Sequence, residues 1–230
     1  MSTRRRVANL LALAVLACVA ERPMHPYEIS TTLRTRGKES SIKLNFGSLY
    51  SVVESLAKHG LIEARETVRE GRRPERTVYA ITAAGRAELE DWMAELLSTP
   101  TPEYTSLGAA LSLVAAVSPD ETVRLLTARA ARLRMELGAV ESGLAYSAEM
   151  GLPELFVVEE EYRKALMEAE LAFVTSLAAR IDKNELGGTV WWRRVHELQD
   201  QGVSFEEIAR DPVRHLGEEA AHLAPFLRPD

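Results

Sequence analysis

Apolar residues recur along most of the chain at intervals of three and four, the spacing of an α-helix with one buried face. In the first third of the chain this pattern predicts three helices, over residues 7–21, 26–36 and 47–59. The first of them is apolar on almost every side, which is typical of a helix at the centre of a small core. Pro26 suits the first position of the second helix, and Gly60 suits the end of the third.

The pattern changes after the third helix. Residues 62–69 and 76–82 are rich in Thr, Val, Tyr and Ile, and the segment between them contains Gly and Pro, so we expect a two-stranded hairpin. Thr82 is the expected N-cap of a fourth helix, which runs to residue 97. Three helices followed by a hairpin are the layout of a winged helix-turn-helix.

The second half has the pattern of long, paired helices. A short helix is expected over residues 107–117, and Ser118, Pro119 and Glu121 form the expected start of a long one. Apolar residues then alternate at spacings of three and four, a seam for packing against a helix of the same chain or of a second copy. The seam consists of Val123, Leu126, Ala130, Leu133, Leu137, Val140 and Leu144.

A second long helix is expected between Pro153 and Lys183, and Gly187-Gly188 separates it from a C-terminal extension with a helix capped at Ser204. We therefore predict a mainly α fold with a small β-hairpin. Its expected domains are a winged helix-turn-helix at 1–97, a helical dimerisation domain at 103–186 and an extension at 187–230. The residues predicted to form the dimer interface are Leu126, Leu133, Leu137, Val140, Leu144, Leu166 and Phe173.

Charge is divided unevenly between the two halves. The whole chain has a formal net charge of −6, which taken alone argues against a nucleic-acid partner. Residues 1–86, however, contain 15 Lys and Arg against 8 Asp and Glu, whereas residues 87–230 contain 13 against 26. A basic N-terminal part joined to an acidic body indicates that the average hides a basic interaction surface.

The third helix and the hairpin tip carry the candidate DNA contacts. Ser48, Ser51 and Ser55 share one small polar face of the helix, opposite the apolar residues expected in the core. Such a helix suits the major groove, and arginines at a loop tip reach phosphates or the minor groove. The residues predicted to contact double-stranded DNA are Lys43, Asn45, Ser48, Tyr50, Ser51, Ser55, Arg72, Arg73 and Arg76.

The N-terminal apolar run has the outline of a secretion signal, because three arginines precede it and small residues end it. The run spans 14 residues, 7–20, which are too few to cross a bilayer, so we favour a buried first helix. Cys18, the single cysteine, excludes a disulfide scaffold and is expected to be a small core residue. We expect a cytoplasmic protein without a membrane partner.

The same residues resemble the PadR-like transcriptional regulators. The stretches that carry the resemblance are Pro23-Met24-His25-Pro26-Tyr27-Glu28-Ile29, Gly47-Ser48-Leu49-Tyr50, Gly60-Leu61-Ile62, Gly71-Arg72-Arg73 and Tyr79-Ala80-Ile81-Thr82-Ala83-Ala84-Gly85. They stand in the family's order over residues 7–97 and are specific as a set. The acidic second half is similar to the multi-helix dimerisation region of the longer members.

The resemblance implies a homodimer that represses transcription by occupying a palindromic operator. It also implies release by a small molecule, frequently aromatic or drug-like, for which Trp92, Tyr162 and Phe173 are the candidate contacts. Core packing is favoured for Trp92 over a ligand role.

Several positions depart from the family's pattern. Pro26 stands where glycine is usual, Ser51 stands where proline is common, and Ser55 and Ala57 replace an expected Arg and Glu. The resemblance therefore covers the scaffold and leaves the operator sequence open.

The sequence contains no Gly-rich phosphate loop, nucleophile elbow or paired-His metal motif, so we expect neither an enzyme nor a cofactor or metal. The alternative function is a helical protein-interaction module whose winged domain does not bind DNA. Salt separates the two, because binding to DNA phosphates weakens steeply as salt rises.

Overall fold

A computed structural model describes residues 9–42, 46–68 and 76–223 of the 230-residue chain. The chain divides into two compact units, Met1–Glu103 and Tyr104–Asp230. The described residues are mostly helical and contain a two-stranded antiparallel sheet. The predicted fold class is therefore confirmed, and the further division of the C-terminal unit at residue 187 stays a prediction.

The N-terminal unit is built around its first helix. Its elements are α1 (Leu10–Glu21), α2 (Pro26–Thr35), α3 (Phe46–Lys58), β1 (Ile62–Val68), β2 (Arg76–Ile81) and α4 (Ala83–Ser98). Helix α1 contacts α2, α3, α4 and β2, and its residues Leu11, Val15 and Leu16 are almost completely buried. The expectation of a buried first helix is thus confirmed, because an all-round apolar helix buries most of its surface at the centre of a core.

Side-chain caps set where the first two helices begin. Asn9 Oδ1 accepts a hydrogen bond of 2.9 Å from the backbone of Leu11, so α1 begins later than the predicted residue 7. His25 Nδ1 accepts one of 3.0 Å from the backbone of Tyr27, and Glu28 Oε2 accepts one of 2.8 Å from the backbone of His25. This reciprocal capping box fixes the start of α2.

The hairpin forms an antiparallel sheet with a shift of register between Ala64 and Glu66, and the α1–α2 connection extends this sheet. Strands β1 and β2 pair from Ile62 opposite Ile81 to Val68 opposite Arg76. Met24, before α2, exchanges two backbone hydrogen bonds of 3.0 Å with Tyr79. The hairpin, β1 and β2, is the wing of the winged helix-turn-helix. It is thereby joined to the helices by backbone pairing as well as by apolar packing.

Thr82 and Gly85 join α4 to the turn between α3 and β1. Thr82 Oγ1 accepts a hydrogen bond of 3.0 Å from the backbone of Gly85 and lies 2.7 Å from the carbonyl oxygen of Gly60. A Cβ atom placed on Gly85 would lie 2.0 Å from the carbonyl oxygen of Leu61. The close approach of α4 to this turn therefore requires glycine at residue 85.

The C-terminal unit is dominated by two long helices. Its elements are α5 (Ser106–Ser112), a 3-10 turn (Val114–Ala116), α6 (Pro119–Glu149), α7 (Val158–Asp182), α8 (Thr189–Asp200), α9 (Phe205–Arg210) and α10 (Pro212–Leu216). Arg129 pairs with Glu170 at 2.6 Å and Glu141 pairs with Lys164 at 3.2 Å, so α6 and α7 run antiparallel.

The core of the C-terminal unit lies between α6 and α7. Its buried members are Leu126, Ala130 and Leu133 from α6 and Val174, Ala178 and Ile181 from α7. The predicted seam of α6 therefore packs, at Leu126 and Leu133, against a helix of its own chain. A spacing pattern specifies that a face is buried but does not specify the chain that buries it.

The last helices are anchored on the start of α6. Trp192 Nε1 donates a hydrogen bond of 2.8 Å to the carbonyl oxygen of Val117, and Arg193 forms an ion pair with Asp120. Ser204 caps α9 in a capping box with Glu207, as its sequence predicts. Within the described residues, no helix combines the length and the apolar character that crossing a bilayer requires.

Candidate nucleic-acid interface

Helix α3 is oriented by its apolar side. Leu49, Val53 and Leu56 are at most 3% exposed and belong to the core that α1 also builds. Helix α3 contacts both α1 and α2, the arrangement in which the second helix of a helix-turn-helix presents its other side to DNA. Packing thus determines which residues of α3 face outward.

The outward side of α3 carries Tyr50, Ser51 and Glu54. All three are exposed, whereas Ser48 and Ser55, which are seven residues apart and so lie one above the other, are half-buried at one edge of this side. Ser51 Oγ donates a hydrogen bond of 3.3 Å to the carbonyl oxygen of Gly47, one turn earlier. Of the three serines predicted to share one face, Ser51 alone is therefore exposed.

Two exposed residues of α3 were absent from the predicted contacts. Glu54 and Lys58 follow Tyr50 at intervals of four, so helical spacing alone places them on the same side. A carboxylate accepts a hydrogen bond from the amino group of cytosine in the major groove, and a lysine pairs with phosphate. The spacing from Tyr50 was the signal that would have found both.

The wing positions the predicted arginines only in part. Arg76 is the first residue of β2 and pairs through its backbone with Val68. Arg72 and Arg73 lie outside the described residues, as do Lys43 and Asn45 before α3. In the sequence, the segment that contains Arg72 and Arg73 connects the paired ends of β1 and β2.

Ion pairs neutralise several arginines of the N-terminal unit. The pairs are Arg22 with Glu28 at 3.5 Å, Arg34 with Glu39 at 3.0 Å, Arg36 with Glu21 at 2.5 Å and Arg65 with Glu63 at 3.3 Å. The hydrogen-bonded Arg36 guanidinium holds the pKa of the Glu21 carboxyl below its usual value. The positive excess of residues 1–86 is therefore concentrated in other segments, among them 4–6 and 69–76.

Cys18 takes no part in the site. It is 2% exposed, and burial raises the pKa of its thiol to about 11. A thiol held in its neutral form is a poor nucleophile, so Cys18 is a packing residue, as its sequence context predicts.

The three candidate ligand contacts occupy different environments. Trp92 is 4% exposed and belongs to the core of the N-terminal unit, which agrees with the packing role favoured for it. Tyr162 and Phe173 are both half or more exposed on α7. They are eleven positions apart on the helix, which is about 16 Å along its axis, so one small ligand cannot contact both.

The residues predicted for the dimer interface fall into two groups. Leu126, Leu133 and Val140 are buried, and Leu137 and Leu144 are half-buried. Leu166 and Phe173, in contrast, are 52% and 50% exposed. Among the seven, these two offer the most apolar surface to a second chain.

The sequence of the N-terminal unit matches a known family. Residues 15–91 match the model of the "Transcriptional regulator PadR-like family". This range contains all of α2, α3, β1 and β2. The resemblance found in the motifs is therefore confirmed over this part of the chain. No curated protein matches the sequence.

Two regulators of known structure share the fold. PadR from Bacillus subtilis has a TM-score of 0.57 and 17% identity, with 74% of this chain and 98% of PadR covered. The structure of the same protein in complex with operator DNA has a TM-score of 0.51 and 19% identity, with 72% of this chain and 99% of PadR covered. The structure of its complex with p-coumaric acid has a TM-score of 0.50 and 16% identity, with 73% of this chain and 99% of PadR covered.

The second regulator is AphA, a virulence activator from Vibrio cholerae. It has a TM-score of 0.56 and 18% identity, with 75% of this chain and 98% of AphA covered. At these identities the likeness concerns the fold, which is that of PadR-like regulators with a winged helix-turn-helix.

Proposed function

We propose, from the match of residues 15–91 to the PadR-like regulators, that this protein binds double-stranded DNA in a sequence-specific manner and regulates transcription. The observation that carries the proposal is the outward side of α3, on which Tyr50, Ser51 and Glu54 are exposed while the apolar side is held in the core. In this proposal α3 reads bases in the major groove and the wing contacts phosphates.

The test is selection of bound sequences from random duplex DNA, followed by affinity measurements by fluorescence anisotropy over a range of salt. We expect the Arg72→Ala, Arg73→Ala double variant to bind all sequences more weakly and to lower the slope of affinity against salt by about 2. The matched control is the Arg163→Ala, Arg210→Ala double variant, which removes two exposed arginines of the C-terminal unit. Absence of DNA binding by the unaltered protein at low salt would contradict the proposal and favour a protein-interaction module.

We further propose that the protein is a homodimer and that the outer side of α7 forms its interface. Val158, Tyr162, Leu166 and Phe173 are each at least half exposed on α7, at intervals of four, four and seven residues. Large apolar side chains in one stripe on a long helix are typical of a surface that a second helix covers. A symmetric pair of such surfaces gives a two-fold dimer, which suits a palindromic operator.

Sedimentation equilibrium tests the dimer. Leu166→Arg introduces a charge into the stripe and should shift the mass from dimer to monomer. Val213→Arg, at an exposed residue of α10, should leave the mass unchanged. A monomeric unaltered protein, or equal behaviour of the two variants, would refute this interface.

The direction of regulation is proposed to be repression, with release by a small molecule. The fold match to PadR solved with operator DNA supports operator binding, and the match to PadR solved with p-coumaric acid supports a small-molecule effector. A reporter gene behind the selected operator should be silenced by the protein and restored by an effector. Increased expression on adding the protein would instead identify an activator.

A further inference from the structure

Glu54 stands at the middle of the outward side of α3. Tyr50 and Lys58, each one helical turn away from it, are also exposed. The preceding residue, Val53, is 1% exposed and belongs to the core of the N-terminal unit, as does Leu56, two positions further on. The backbone that carries Glu54 is therefore held on both sides by core residues, and its carboxylate is presented to solvent.

Glu54 differs from the preceding carboxylates of the N-terminal unit because it has no partner. Glu21, Glu28 and Glu39, which lie between the start of α1 and the start of α3, each pair with an arginine. Glu54 makes neither a hydrogen bond nor an ion pair through its side chain to any described residue, and Lys58 does not pair with it. An unpaired negative charge therefore stands on the side of α3 that is proposed to face DNA.

A carboxylate on a DNA-binding surface is unfavourable unless a hydrogen-bond donor meets it. DNA carries a negative charge at every phosphate, so an anion on the contact surface weakens binding to every sequence. In the major groove, guanine presents the acceptors N7 and O6, thymine presents the acceptor O4, and adenine presents the acceptor N7 beside its amino group. Cytosine presents its amino group alone. Cytosine is therefore the base that best matches Glu54.

The length of the outward side of α3 favours a contact between Glu54 and a base. Tyr50 and Lys58 are eight positions apart, which is about 12 Å along the helix axis. The major groove is also about 12 Å wide, so a helix that crosses it brings both ends of this side towards the flanking phosphates. Tyrosine and lysine both bind phosphates, which leaves the base edges for Glu54 between them.

We propose that Glu54 is a specificity-determining residue that accepts a hydrogen bond from the N4 amino group of a cytosine in the major groove of the bound DNA. The assignment rests on the proposed function, because it gives a base to the surface through which the protein is proposed to bind DNA. It adds selection by repulsion, since the same carboxylate is repelled by the acceptors of guanine and thymine. The preference for cytosine is thus obtained at a cost in overall affinity.

Selection of bound sequences from random duplex DNA, run in parallel with the unaltered full chain, Glu54→Gln and Glu54→Ala, tests the assignment. The unaltered protein should select a site with a C·G pair at a fixed position. Glu54→Gln should prefer A·T there, because an amide accepts from N6 of adenine and donates to its N7. Glu54→Ala should show no preference there. Because Glu54 is exposed, neither variant should change the melting temperature by more than about 2 °C.

Fluorescence anisotropy at one salt concentration measures the size of the effect. Replacing the selected cytosine by thymine should weaken binding of the unaltered protein about tenfold and binding of Glu54→Ala by less than about twofold. Pyrimidin-2-one in place of that cytosine removes the N4 amino group and should act on the two proteins in the same way. On DNA of unrelated sequence, Glu54→Ala should bind more tightly than the unaltered protein, because a negative charge has been removed.

Glu90→Ala and Lys58→Met are the matched controls. Glu90 is an exposed carboxylate on α4 of the same unit, so its removal changes the net charge equally and should leave the cytosine preference intact. Lys58→Met should weaken binding to all sequences alike and lower the slope of affinity against salt by about 1, again with the cytosine preference intact.

The possible failures are distinguishable. DNA binding with the same base preferences in the unaltered protein, Glu54→Gln and Glu54→Ala would overturn the assignment of Glu54 and leave the proposed function standing. An equal gain in affinity of Glu54→Ala for every sequence would also overturn it, because Glu54 would then act through its charge alone. Absence of DNA binding by the unaltered protein at low salt would overturn the proposed function and this assignment with it.

Discussion

The N-terminal and C-terminal units use apolar residues in opposite ways. In the N-terminal unit α1 is surrounded by α2, α3, α4 and β2, so that one core absorbs the apolar residues of several elements. In the C-terminal unit α6 and α7 bury one stripe between them and leave large apolar residues such as Met135, Tyr146 and Leu166 exposed. The first unit also exposes some large apolar residues, among them Leu96 and Leu97 at the end of α4, but the second presents more such surface, which favours association.

This difference explains the division of labour that we propose. A rigid core holds the outward side of α3 in one orientation, as reading DNA bases requires. A helical pair with exposed apolar surface is suited to binding a second chain. Four predictions, given in order of expected effect, test how far the contrast in packing extends.

Gly85→Ala should have a large effect, of the same order as the truncation of a core leucine, because the new Cβ would lie 2.0 Å from the carbonyl oxygen of Leu61. We expect a loss of about 3 kcal/mol in the free energy of unfolding, measured by urea denaturation. The matched change in the C-terminal unit is Gly138→Ala on α6, where nothing lies within 4 Å of the new atom. It should increase stability by about 0.5–1 kcal/mol, because alanine favours a helix over glycine. Equal changes in unfolding free energy for the two variants would contradict the difference in packing between the two units.

Leu16→Ala and Leu166→Ala separate packing within the chain from packing between chains. Leu16 is 0% exposed, so its truncation should cost about 2–5 kcal/mol at every protein concentration. Leu166 is 52% exposed, so its truncation should lower the unfolding free energy of the monomer little. The loss of stability should grow as protein concentration rises, because the dimer is then populated. Thermal unfolding at several concentrations measures both. A cost for Leu166→Ala that does not depend on concentration would exclude a role for this residue in association.

Thr122→Val should stabilise the protein. It replaces an unpaired buried hydroxyl by a methyl group of similar shape, so we expect a gain of about 1 kcal/mol in unfolding free energy. Thr127→Val, an exposed position on the same helix, should change it by less than about 0.5 kcal/mol. A lower melting temperature for Thr122→Val would mean that the hydroxyl is paired in solution.

The ion pair of Glu21 with Arg36 should give the smallest effect. Because the pKa of Glu21 is lower in the folded protein than in the unfolded chain, the pair adds stability above the unfolded pKa and loses it as pH falls through the folded pKa. Both side chains are about half exposed, so the contribution should stay below about 1 kcal/mol. Glu21→Gln should flatten this part of the stability curve against pH, and an unchanged curve would contradict the assignment.

Local signals in the sequence predicted much of the fold. The capping residues Thr82, Ser118 and Ser204 each act over a few residues, and a helix begins after each of them. Strands β1 and β2 pair on either side of the predicted loop of the hairpin. The motifs of the N-terminal part also predicted the family resemblance, and the family match of residues 15–91 agrees with that prediction.

The candidate site was less predictable. The spacing of Ser48, Ser51 and Ser55 placed them on one side of a helix, but the packing of Leu49 and Val53 against the core turned that side so that Tyr50 and Glu54 are exposed as well. A helical pattern gives relative positions around an axis, and only contacts with other elements determine which direction faces outward.

The sequence by itself determined the order of helices and strands, the caps that begin them and the separation of a basic part from an acidic one. The tertiary structure decided that the seam of α6 packs on α7 of the same chain, that Gly85 lies against Leu61 and that Thr122 is buried without a partner among the described residues. The reason is physical: caps and periodicity depend on residues within a turn or two of each other, whereas burial and close contact depend on atoms far apart along the chain.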